Sequence, residues 1–201
     1  MEIHPATTKA PAPHPDLKGK GLSFQHLREF VHARFGEGAW LEVLAKLGPE
    51  SRRVFSEPLL ASAWYPYSAY VEMEKIVIHQ FFSGNVRRAR EIGAHDLEAG
   101  LKKVYREFFK VGSPAFIIRM SAILWRQYFN QGKMTIEKSA RGIVVVRIDE
   151  FIPPDEATCW DIYGSMFRAI ELSGAKALKG DHTACPLKGD PCLKYEARWD
   201  E

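Results

Sequence analysis

Three cysteines and one histidine in the last 43 residues constrain this chain most. Cys159 falls early in a helix-like segment, His182 and Cys185 form an H-x-x-C step at the end of a strand-like run, and Cys192 follows across the turn Pro186-Leu187-Lys188-Gly189-Asp190-Pro191. Three thiols and an imidazole arriving from one helix and one hairpin make a closed tetrahedral nitrogen and sulfur set, the arrangement that structural zinc prefers. In a reducing compartment, cysteines spaced in this way serve more often as metal ligands or buried hydrophobes than as disulfide partners.

Local patterning divides the chain in two. Residues 1 to 20 carry four prolines among small and polar residues. They are expected to form a disordered tail, with one domain spanning 21 to 201. From Leu22 the apolar residues Phe24, Leu27, Phe30, Val31 and Phe35 recur at helical spacing, with Ser23 as N-cap and Gly36 as the stop. Trp40, Leu41, Leu44 and Leu47 give a second helix ending at Gly48-Pro49. A third spans about Ser68 to Phe82, two more broken near Gly93 fill the stretch from Val86 to Val111, and Ser113-Pro114 opens another.

The period then shortens. Lys133 to Glu137 and Arg141 to Phe151 read as two β-branched strands, and Pro153-Pro154-Asp155 caps a helix from Glu156 to Leu172. A hairpin from Lys176 to Cys185 and Cys192 to Trp199 completes the order. Helices followed by strand, strand, helix, strand, strand make an α+β fold with a small antiparallel sheet.

Two pieces carry a family resemblance. The run EFVHARFGEGAWLEVLAKLG followed by AWYPYSAYVEM resembles the opening of haem nitric-oxide-binding domains. The end, with Cys159, His182, Cys185 and Cys192, resembles the vinyl-reductase-type ligand-binding domain of bacterial aromatic-sensing activators. These share one ligand-binding-domain superfamily, found also in vesicle-transport subunits, and the overall pattern is similar to an uncharacterised myxobacterial paralogous family of that fold. In the aromatic sensors the metal set resembles three Cys plus a Glu three residues before the second Cys; His182 holds that position here and keeps a competent ligand. The haem-binding relatives use a proximal His and a Tyr-x-Ser-x-Arg motif, and the region from Ile117 to Lys138 has neither. The resemblance therefore implies a structural zinc and no haem.

The functional expectation is a non-catalytic small-molecule-binding or sensory domain acting on a separate signalling protein. No nucleophile elbow, phosphate loop, H-E-x-x-H or G-x-G-x-x-G occurs, so no enzyme is expected. One alternative is a protein-protein interaction or scaffold module of the same fold. A second is a thiol redox protein in which Cys185 and Cys192 cross-link. The aromatic side chains normally fill a core, but in this fold the cleft between helices and sheet holds an apolar or aromatic molecule. The candidate pocket residues are Trp64, Tyr70, His79, Phe108, Phe116, Met120 and Trp125. His26 and His32, six apart, share no helix face, make a poor metal pair and are expected at the surface. A net charge of +3 gives no reason to expect nucleic acid as a partner. No apolar run reaches the length of a membrane span, so the expected location is the cytoplasm, with a homodimer compatible.

Overall fold

The computed structural model describes residues 15–104 and 113–200. The N-terminal part is helical. A short strand β1 (Lys18–Lys20) leads into α1 (Gly21–Lys46), followed by α2 (Pro49–Ser56), β2 (Trp64–Pro66) and α3 (Tyr67–Phe81). A 3-10 turn at Val86–Arg88 opens α4 (Ala89–Val104), and α5 (Pro114–Tyr128) follows. The C-terminal part holds β3 (Lys133–Ala140), β4 (Ile143–Asp149), α6 (Glu156–Leu172), β5 (Lys176–Ala184) and β6 (Leu193–Asp200). The four long strands form one antiparallel sheet in the order β3-β4-β6-β5. No described helix is long and apolar enough to cross a membrane.

Local chemistry sets most of these boundaries. Asp155 caps α6 by accepting from the Thr158 N–H at 2.9 Å, and Ser113 caps α5 by accepting from the Phe116 N–H, with Pro114 behind it. Gly36, at φ 87°, kinks α1 where the sequence places its stop. The helix begins earlier than the Ser23 cap would have it, at Gly21, and the Ser23 hydroxyl instead donates to Asp96 at 2.9 Å.

Gly93 does not break a helix. It lies within α4, where that helix crosses α6, and a Cβ there would overlap the Asp161 carbonyl oxygen. Gly164 is its counterpart on α6, set against the Arg90 carbonyl. Two missing side chains thus bring the helix backbones close enough to seat α6 beside the cavity described below.

Of the tail expected over residues 1 to 20, residues 1–14 lie outside the described residues and 18–20 form a strand. Leu17 is buried, and β1 pairs antiparallel with β2 (Gly19 opposite Tyr65). Asn130 clasps this segment by accepting from the Lys18 N–H at 2.7 Å and donating to the Asp16 carbonyl at 2.9 Å. The pairing escapes local patterning because its strands are three residues long and more than 40 residues apart. A chain starting at Gly21 should melt about 5 °C or more below one starting at Pro15, from the loss of a buried leucine and its ladder bonds. Equal melting curves would show that β1 contributes nothing.

Candidate functional site

The first turn of α6 and the β5–β6 end of the sheet bring Cys159, His182 and Cys185 together, their ligand atoms all within 4.8 Å of one another. The Cys159 and Cys185 sulfurs are 3.6 Å apart. A tetrahedral ion with sulfur at ~2.3 Å requires an edge of about 3.8 Å, so the pair is already spaced for it. The His182 ring stacks on Tyr195 at 4.9 Å, and its Nε2 is buried with no hydrogen-bond partner. Tyr195 in turn donates from its hydroxyl to the Cys159 carbonyl at 2.7 Å, tying β6 to α6.

The thiols are electrostatically unlike. A hydrogen bond from the Cys159 thiol, helped by His182, pulls Cys185 down to about 4 against the upward push of burial. Cys159 is driven the other way by the same bond and by burial. Two sulfurs beside an imidazole nitrogen are a donor set suited to a divalent soft cation.

Cys192 is buried and free, but its sulfur is not among the three that converge. It sits just beyond the last β5–β6 ladder pair, Ala184–Lys194, and precedes Leu193, whose side chain enters the core. Strand alternation gives Cys192 the parity of Lys194 rather than that of Leu193 and Tyr195, and its sulfur interacts with the charge of Arg147. The turn between them is knit onto Cys185, whose carbonyl accepts from the Lys188 and Asp190 N–H groups and whose N–H donates to the Asp190 carboxylate at 2.7 Å. The closest thiol pair is accordingly Cys159 with Cys185, not the Cys185–Cys192 pair of the redox alternative.

A cavity of about 240 Å³ lies between the helical part and the sheet, walled by α3, α4, α5, α6 and β3. Tyr70, Phe116, Met120 and Trp125 line it as expected. Two candidates do not. Trp64 is 39% exposed on β2 beneath the Lys20 ammonium, and His79 is exposed near the end of α3. Phe108 lies outside the described residues. Sequence reasoning missed Tyr67, Asp96 and Asp161, which also line the cavity.

Asp161 accepts from the Tyr70 hydroxyl at 2.8 Å. Burial first, then the Asp96 charge, push its carboxyl up to about 7, while the Tyr70 bond pulls it down. Glu74 is fully buried beside it; burial, then the Asp161 charge, raises its carboxyl well above the usual range. Neither Glu74 oxygen has a hydrogen-bond partner. His26, expected at the surface, is 5% exposed and paired with Asp96 at 2.5 Å. The readable signal was an acid in a core slot: Asp161 falls on the α6 face of Ala157, Thr158 and Ile162, and Glu74 on the α3 face of Tyr70 and Val77.

No family model matches the chain and no curated protein matches it in sequence, so the likeness to a myxobacterial family gains no support. Solved structures do match in fold. An H-NOX protein from S. oneidensis in the Fe(II)NO ligation state superposes with a TM-score of 0.72 at 14% identity, over 90% of this chain and 99% of that one. An H-NOX protein mutant from K. algicida, Fe(II) unliganded, gives 0.66 at 13%, over 90% and 97%. The H-NOX domain from Shewanella oneidensis in the Fe(II)CO state gives 0.66 at 16%, over 90% and 99%. The chain has the H-NOX-like α+β fold. These neighbours carry iron, so the comparison lends no support to the expectation of no haem.

No histidine or cysteine lines the cavity among the described residues, and the charged groups that do are both acids. A histidine or thiolate is thus missing from the described walls, where the sulfur donors are the thioethers of Met120, Met134 and Met166.

Proposed function

We propose that this chain is a non-catalytic, small-molecule-binding sensory domain of the H-NOX-like fold, without haem, whose C-terminal end is held by a structural zinc. The observation that carries the reading is the largely apolar cavity at the junction of helices and sheet, which offers acids and hydroxyls but no histidine or cysteine on its described walls. Its signal passes to a separate protein. Three free, buried thiols suit a reducing compartment, and the cytoplasm is the proposed location.

Zinc is held by Cys159, His182 and Cys185, with Cys192 rotating across the 186–191 turn to close the fourth position. In this role the protein supplies thiolates and an oriented imidazole, and the ion supplies a cross-link between α6 and the hairpin. The redox reading keeps one specific support, the 3.6 Å approach of Cys159 and Cys185, and metal occupancy decides between them.

Titration of the purified protein with haem tests the main claim. No stoichiometric Soret band should survive gel filtration. A sharp band that persists at one haem per chain would overturn the haem-free reading.

A further inference from the structure

The charged end of the cavity is unbalanced. Asp96 is satisfied, its Oδ1 by His26 at 2.5 Å and its Oδ2 by the Ser23 hydroxyl at 2.9 Å. Asp161 is not. It faces the Tyr70 hydroxyl and Glu74 from α3, Asp96 from α4 and Asp155 from the cap of its own helix, all hydroxyl or acid. Lys75, the cation of that neighbourhood, is spent on Asp155 at 3.2 Å, and its side chain is 58% exposed. Among the described residues no lysine, arginine or histidine lines the cavity.

A hydroxyl open to a ligand sits on the same wall. Tyr67 is 3% exposed and lines the cavity, and its hydroxyl has no hydrogen-bond partner among the described residues. Asp161 is the charge that weighs most on it, which places the hydroxyl at the acidic end. Its ring stacks on Tyr70 at 5.0 Å and meets Phe129 edge-on at 5.2 Å. Buried acids without a counter-charge persist only at a cost, and a ligand that supplies donors and a positive charge removes it. Aromatic faces beside the acids add attraction for such a charge.

Resting on the reading of this cavity as a ligand site, we propose that it takes a small organic cation: a primary ammonium set on Asp161 and the Tyr67 hydroxyl, with an apolar body among Phe116, Met120, Trp125 and Phe129. At ~30 Å³ per water the cavity volume equals about eight waters, which limits the body to a single ring and a short chain. The ammonium favours the ionised form of Asp161.

Calorimetric titration at pH 8 with phenethylamine, 2-phenylethanol and 3-phenylpropionate, three probes of one shape and different charge, tests this. The amine should bind at least about tenfold more tightly than the alcohol and the acid should not bind, since like charge repels it. In Asp161→Asn the preference for the amine should vanish while the affinity for the alcohol holds. Tyr67→Phe, which keeps the ring, should weaken the amine about fivefold. An alcohol that binds as tightly as the amine in the native protein would overturn the inference and leave the ligand site standing. Failure of all three probes to bind would overturn both.

Discussion

Stripping metal from the protein should lower its melting temperature by about 10 °C or more, and Cys185→Ser should reproduce the loss. Formation of a structural zinc site contributes on the order of 10 kcal/mol at neutral pH, and a kcal/mol moves the melting point of a chain this long by roughly 2–4 °C. Even a third of the full effect is therefore visible. Cys159, His182 and Cys185 join α6 to the β5–β6 hairpin, so losing the ion frees both elements at once. Cys192→Ser should behave differently, because its sulfur stands outside the converged set. Zinc should still bind, more weakly, with a smaller fall in melting temperature at saturating metal. A chelated protein that melts like the untreated one would show that the thiols are merely buried, as free cysteines often are.

The second large effect is expected where α4 crosses α6. Gly164→Ala places a methyl group in the volume of the Arg90 carbonyl, and Gly93→Ala does the same at Asp161. Neither neighbour is a flexible side-chain end, so the helices must move apart. Overpacking of this kind costs about 1–3 kcal/mol and more where backbone must shift, so a fall of about 6–12 °C is expected for either variant. Gly38→Ala on α1 is the control, since a Cβ there meets nothing within 4 Å. Replacing a helical glycine in open space should leave stability unchanged or raise it by up to about 1 kcal/mol. Circular dichroism melts of the three variants separate close packing from helix propensity, and equal melts for Gly164→Ala and Gly38→Ala would contradict the crossing.

These two regions also show what can be read from residues alone. The bounds of α6 are legible because Asp155 caps one end and Ser173-Gly174 stops the other. The α4–α6 crossing is not legible, because a glycine inside a helical pattern looks like a break until its partner helix is known. The same holds at the sites. His182, Cys185 and Cys159 stand out by spacing and converge in space. Cys192 has the right spacing too, yet its sulfur stands outside the converged set.

The cavity was half visible. Aromatic periodicity on α3 and α5 points to Tyr70, Phe116, Met120 and Trp125, whereas His79 sits among apolar neighbours and still faces out. Asp161 and Glu74 break apolar stripes, a pattern as consistent with a solvated helix face as with a buried polar site. Only tertiary burial separates those meanings.

Native mass spectrometry of the intact protein, purified without chelator and with zinc supplied, tests the account most directly. It predicts a chain carrying one zinc ion and no haem, with the zinc lost in Cys185→Ser. A chain that retains one haem, or one that carries no zinc, would contradict it.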